Sequence, residues 1–288
     1  LEFRRVLFRS RLFTALAEWG AALVYVFVVA RSASTHTLSP DAAAPRWRLA
    51  TAAFGGLAVL ATAHELMGRA PLTLWVPGMM VAYALVWVVI RVGTALDWRW
   101  VTHMSARAFI VAELAASLAW QVVVYSHADK PFWHPVSFGG YAVIASACLG
   151  VAYVIERRVF CQGALPILRL ADLASGLFIG IAIFALSNLS FISTATPFSG
   201  RAGLEVFYIR TLVDLAGYAI LFAQVERIQQ SATERELASI QASLDAQHHQ
   251  YLAAKEDMEQ VARAHHDLKH RVEAIRAELD PGRAARSF

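Results

Sequence analysis

Leu173–Ile192, LASGLFIGIAIFALSNLSFI, is the stretch that decides the fold class. It carries no charge, and about 20 mostly apolar residues in a helix are what crossing the hydrocarbon core of a bilayer takes. A backbone in hydrocarbon must satisfy its own amides, which for one continuous run means a helix. Six further runs of similar character are bounded by charged or turn-forming residues: Leu12–Ala30, Leu49–Leu66, Leu72–Ile90, Ala106–Ser126, Phe138–Ile155 and Val206–Gln224. Ser39-Pro40-Asp41 and Thr196-Pro197-Phe198-Ser199-Gly200 read as turns between them. The expected fold is all-α: a seven-helix transmembrane bundle over residues 11–224, followed by a long helical tail.

Composition agrees. Of 288 residues, 57% are hydrophobic and 17% charged, too apolar a balance for an ordinary soluble domain. Two cysteines, Cys148 in an apolar run and Cys161 in a basic loop, give no disulfide framework. The net charge of +4 is accounted for by basic loops at a membrane surface, and no aromatic-basic interleaving calls for nucleic acid. The opening residues, LEFRRVLFRS, lack an initiator Met and read as a non-native leader.

Lysines and arginines alternate between the loops. Arg31, Arg46 and Arg48 fall to the first, Arg69 to the second, and Arg91, Arg99 and Arg107 to the third. Lys130 follows alone, then Arg157, Arg158 and Arg169, then Arg201 alone. The positive-inside rule puts the richer loops in the cytoplasm, so the N-terminus is expected outside and the tail inside the plasma membrane. Arg4, Arg5 and Arg9 would then lie on the wrong side, consistent with a foreign leader.

Ionisable residues within a span are costly and are therefore candidate signalling positions. Arg210 and Asp214 are four apart and share a helical face. Glu65, beside His64, either reaches Arg210 across the bundle or meets interfacial water. Glu113 is expected to face the bundle interior, and Glu18 and Gln121 are weaker cases. Trp75, Trp87, Trp98, Trp100, Trp120 and Trp133 read as anchors near span ends. His127, Asp129, Lys130, Phe132, Trp133 and His134 lie in an outer loop where a ligand can touch, without a recognised metal-ligand spacing.

Past Gln224 the sequence is polar and free of Gly and Pro as far as Asp280, before Pro281-Gly282. Apolar residues recur at Leu237, Ile240, Leu244, Tyr251, Met258, Val261, Leu268, Val272, Ile275 and Leu279, in alternating steps of three and four once the weaker Gln247 and Ala254 positions and His265 are included, the seam of a coiled coil and hence of a homodimer. Leu221, Val225 and Ile228 belong to a different phase, with the shift between Ala232 and Glu236. Residues 225–259 therefore read as a signalling linker and 260–288 as a separate functional segment. In that segment His265 falls on the seam and His266 just off it. Asp267 follows His266 directly, and Lys269 and His270 lie three and four residues on, on the same face. A water-facing imidazole, an adjacent acid and a cation that can meet phosphate charge suit phosphoryl transfer to His266. A solvated helix face that happens to hold histidines is the plainer alternative.

The run His266-Asp267-Leu268-Lys269 resembles the phosphoacceptor box of multi-pass sensor histidine kinases with a GHKL-type ATPase domain, among them peptide quorum receptors. Those boxes read His-Asp-(Leu/Ile/Phe)-(Lys/Arg)-Asn-His; this chain departs with His270 and Arg271. The resemblance implies that His266 accepts the phosphoryl group, that Asp267 activates the ring, and that Lys269 meets phosphate charge. His270 stands where the family has the Asn tied to phosphatase activity, which puts that activity in question. The resemblance also implies an extracellular or membrane ligand, a peptide being one candidate, and a response regulator as partner. ATP and Mg are expected in an ATPase domain that this chain lacks, since no ATP box or Walker lysine motif is present. The chain is thus expected to be truncated before that domain and inactive as a kinase by itself. Two rival readings are a seven-helix receptor with another coiled-coil-linked output, such as a nucleotide cyclase, and a transporter with a helical tail. The transporter reading expects helices broken in matching halves, and Pro77-Gly78 has no counterpart. An opsin is disfavoured because the last span has no Lys.

Overall fold

The computed structural model of the chain describes residues 11–34, 42–71, 74–126, 135–160, 165–192 and 205–279. The leader, the turns at 39–41 and 196–200, the loop from His127 to His134, Cys161, Arg201 and Pro281-Gly282 lie outside the described residues.

Among the described residues seven long helices form: α1 (Arg11–Ser34), α2 (Arg46–Met67), α3 (Trp75–Gly93), α4 (Trp98–Ser126), α5 (Pro135–Phe160), α6 (Leu170–Ile192) and α7 (Glu205–Leu279). Each contains a segment long and apolar enough to cross a membrane. The described residues contain no strand, only an isolated bridge between Ala43 and Thr94. The chain divides into two compact units, residues 1–229 and 230–288.

Within the first unit, α1 and α4 are central. Their apolar segments are 67% and 72% buried, against 17–39% for the other five. The cause is small side chains: Ala15, Ala17, Ala21 and Ala22 on α1 and Ala106, Ala108, Ala112, Ala115 and Ala119 on α4 are buried. Small residues let helix backbones approach closely, the main source of helix association where lipid is as apolar as the core. The outer helices turn Phe54, Met80, Val143, Val151, Phe178, Ile181 and Leu212 outward. In α2 the residues Thr51–Gly55 form a π-helical turn. There the Trp19 indole of α1 donates to the Ala53 carbonyl at 2.7 Å, supplying a partner where the regular ladder is disturbed.

The end of the bundle where α1 and α3 finish is laced by side chains bonded to carbonyls of the loops and of the helix ends there. Arg48 reaches Arg91 O at 2.8 Å and Thr94 O at 3.1 Å. Arg99 reaches Leu168 O and Trp100 reaches Pro166 O, both at 2.9 Å. On α7, Gln224 donates to Asp172 O at 2.9 Å and Gln229 to Val159 O at 3.0 Å. Aromatic contacts close the opposite end, where Phe13 meets Tyr141 edge-on with ring centroids 4.4 Å apart.

Helix boundaries differ from the sequence expectation most at α4, which starts at Trp98 rather than Ala106. Arg107, expected in the third loop, is instead wholly buried inside α4. Its helix begins earlier because Trp98, Trp100 and Val101 extend the apolar periodicity, and Trp100 and Val101 are buried. The richer end of the bundle still carries Arg31, Arg46, Arg48, Arg91, Arg99, Arg157, Arg158 and Arg169, with Arg11 and Arg69 at the other.

Close packing gives a stability test. A Cβ at Gly93 would come within 2.6 Å of Val26 and 3.2 Å of Ala52, whereas one at Gly150 would meet nothing within 4 Å. Gly93→Leu is expected to destabilise the bundle by about 1–3 kcal/mol and Gly150→Leu to leave it unchanged, as read by thermal unfolding in detergent.

Candidate functional site

Two arrangements of chemically active side chains stand out, one inside the bundle and one on the second unit. The first is organised on Glu156 of α5, which is fully buried. Its Oε1 accepts hydrogen bonds from Tyr25 of α1 at 2.8 Å, Tyr218 of α7 at 2.7 Å and the Arg107 guanidinium of α4 at 2.6 Å. Four helices thus meet at one carboxylate oxygen. The guanidinium also lies over the rings of Tyr25 and Phe222, 5.8 and 6.0 Å from their centroids. Removing a carboxylate and a guanidinium from water costs several kcal/mol each, so the pair persists only because the phenols add hydrogen bonds to its Coulomb attraction.

Further polar contacts continue along α4 and α7, which run in opposite directions. Nearer the start of α7, Arg210 pairs with Glu113 of α4 and lies 3.9 Å from Asp214. Nearer its exit, His103 of α4 and Gln224 of α7 both crowd Gly176, each 3.1 Å from where its Cβ would be. The contacts thus step Glu113, Arg107, His103 down one helix against Arg210, Tyr218, Gln224 up the other. At Gly217, between two of these steps, a Cβ would fall 2.5 Å from Ile183, so only glycine lets α7 sit this close to α6.

The sequence-derived candidates distribute plainly over this frame. Glu113 faces the interior, and Arg210 and Asp214 share a face, as their spacing predicts. Glu65 does not reach Arg210. It is exposed and pairs with Arg69 at 3.3 Å, one turn along its own helix, because it sits on the outer face of α2. The inward residue there is His64, bonded at 2.8 Å to the fully buried Glu18 of α1. Glu18, read as a weak case, is therefore among the most enclosed charges in the bundle. Glu156, Arg107, Tyr25 and Tyr218 were missed altogether. Glu156 lies one residue past the predicted span end and beside Arg157-Arg158, so it reads as loop charge. Its helical neighbours Ala152 and Val159, both buried, carry the signal that would have placed it inward.

On the second unit α7 is one unbroken helix, and Leu237, Ile240, Leu244, Tyr251, Met258, Val261, Leu268, Val272 and Ile275 are all exposed in the single chain. The upstream phase has a simple cause: Leu221 and Val225 are buried in the bundle core and Ile228 packs against it. The change of phase comes where α7 stops packing on the bundle, without interrupting the helix. His266 is exposed, its Nδ1 4.0 Å from Asp267 Oδ1 and its Nε2 3.2 Å from His270 Nε2. Asp267 and His270 are thus brought to the His266 ring, and His270 has Glu273 Oε2 3.9 Å from its own Nδ1. Lys269 lies on the same stretch of exposed helix. A neutral imidazole offers the lone pair of one ring nitrogen as a nucleophile, and at 4.0 Å the Asp267 carboxylate lies near the His266 ring without being hydrogen-bonded to it. Comparison of the chain with protein-family models, with curated proteins and with solved structures finds no match.

The Glu156 cluster makes a double-mutant prediction. Glu156→Leu leaves Arg107 buried without its counter-charge and is expected to cost about 3–5 kcal/mol, while Glu156→Leu with Arg107→Met recovers most of that loss. Unfolding of the detergent-solubilised chain measures both; a double variant as unstable as the single one contradicts the account.

Proposed function

We propose that the chain is the sensor and signalling-helix part of a multi-pass membrane histidine kinase of the two-component type, with His266 as the phosphoacceptor. The observation that carries this reading is the exposed His266 ring, flanked by Asp267 and His270, on a helix that begins among the bundle helices. Seven apolar helices support residence in the plasma membrane. The concentration of arginines at the end where α1 and α3 finish supports an outside N-terminus and a cytoplasmic tail.

In this reading an extracellular or membrane ligand, such as a peptide, biases the bundle between two packings. Helix α7 is the element that responds, since its buried face is held by a few polar contacts that can exchange partners. Arg210, between Glu113 and Asp214, is one such exchange point. The exposed apolar seam from Leu237 to Ile275 packs against a second copy, forming the homodimeric coiled coil. The phosphoryl donor is ATP with Mg, bound by a GHKL-type ATPase domain. The Nε2 lone pair of His266 attacks the γ-phosphorus, an N–P bond forms, the bond to the ADP oxygen breaks and ADP leaves. Asp267 steadies the positive charge that develops on the ring, and Lys269 offsets charge on the transferred group. The phosphoryl group then passes to an aspartate of a response regulator.

In membranes where the chain is joined to such an ATPase domain, γ-labelled ATP should deposit acid-labile, base-stable label on the protein. His266→Gln should abolish the labelling and His265→Gln should retain it. Label that survives His266→Gln overturns the assignment.

A further inference from the structure

Of the ten histidines in the sequence, only His266 and His270 stand four residues apart, one helical turn along the same face. Their rings meet edge-on, centroids 4.4 Å apart at 68°, with the two Nε2 atoms pointing at each other across 3.2 Å. A tetrahedral zinc ion bound to two imidazoles at about 2.0–2.1 Å holds their nitrogens about 3.3 Å apart. The spacing between these two nitrogens therefore already matches one edge of a metal coordination polyhedron.

The remaining ring nitrogens strengthen the match. Metal-ligating imidazoles usually turn their second N–H toward a carboxylate, which orients the ring and raises its basicity. Here His266 Nδ1 lies 4.0 Å from Asp267 Oδ1, and His270 Nδ1 lies 3.9 Å from Glu273 Oε2. Each ring thus has a carboxylate near its Nδ1, just outside hydrogen-bond reach, and its Nε2 turned to the other ring. Both rings are exposed, so water can complete the coordination. Among the described residues no group of three or more metal-ligating side chains occurs, so two protein ligands make this an exchangeable site and not a structural one.

We propose that His266 and His270 form a two-imidazole site for a late first-row divalent cation of the zinc, nickel or copper class, and that occupancy shuts off chemistry at His266. The metal takes the Nε2 lone pair, which is the same pair the phosphoryl group requires. The second half rests on the phosphoacceptor reading of His266; the first half does not. His270 has a defined role under this proposal. It holds the cation that competes with phosphate, and its replacement frees His266 from that competition.

The test uses the full chain in detergent micelles, titrated calorimetrically with zinc chloride and separately with nickel chloride. One cation should bind per chain at this site, about tenfold or more weakly in His270→Ala and in His266→Ala, and with unchanged affinity in His265→Ala. These positions are exposed on a helix, where alanine is well tolerated. Unchanged affinity in His270→Ala, or an equal loss in His265→Ala, overturns the site. A second readout is chemical phosphorylation by phosphoramidate, which needs no ATPase domain. Zinc should protect His266 from labelling in the unsubstituted chain and fail to protect it in His270→Ala. Zinc binding with His266 never labelled removes the phosphoacceptor reading and leaves the metal site; labelling that zinc neither slows nor prevents removes the inhibitory role.

Discussion

One oxygen atom bears the main constraint on the bundle. Glu156 Oε1 receives Tyr25, Tyr218 and Arg107, so α1, α4, α5 and α7 are tied at a single point. An apolar interface between helices tolerates sliding, because one methyl contact replaces another at small cost. A buried carboxylate does not, since any movement that removes a donor leaves charge without compensation. The cluster therefore fixes the register of α7 more firmly than packing of Leu221 and Val225 alone would.

That register matters because α7 is the helix on which the second unit is built. Its buried face alternates apolar contacts with polar ones, Arg210 and Asp214, then Tyr218, then Gln224. Polar contacts are directional and exchange discretely, so α7 has a small set of permitted positions instead of a continuum. Arg210 is the clearest place for exchange, with one guanidinium between the carboxylates of Glu113 and Asp214. In the proposed sensor, this exchange would convert a small shift among packed helices into a choice between two arrangements.

Much of the fold was legible because bilayer-length apolar runs are long and strongly patterned. Leu173–Ile192 needed no tertiary information to be read as a helix. What resisted reading was charge near helix ends. Arg107 and Glu156 each lie within a few residues of a basic loop, and hydropathy alone cannot separate a buried ion pair from loop charge there. Only the helical face each shares with buried neighbours, Ala152 and Val159 for Glu156, Met104 and Val111 for Arg107, would have shown it. Glu65 shows the converse: of its two readings, contact with Arg210 or with interfacial water, the exposed one holds, because one step around the helix from His64 takes it to the outer surface. The His266 box was legible from local spacing, since residues four apart must share a face. The apposition of His266 Nε2 and His270 Nε2 was not, because it depends on side-chain torsions that spacing leaves open.

The central claim is that contacts along α7 in the bundle govern the chemistry at His266. Asp214→Asn removes one of the two acids around Arg210 and preserves shape, so it biases the exchange without opening a cavity. The direct measurement is the steady level of phosphohistidine at His266 in membranes where the chain is joined to an ATPase domain and given γ-labelled ATP, comparing Asp214→Asn with the unsubstituted protein at equal abundance. A level shifted several-fold in either direction is what the account predicts. An unchanged level, with Glu113→Gln equally silent, would contradict it.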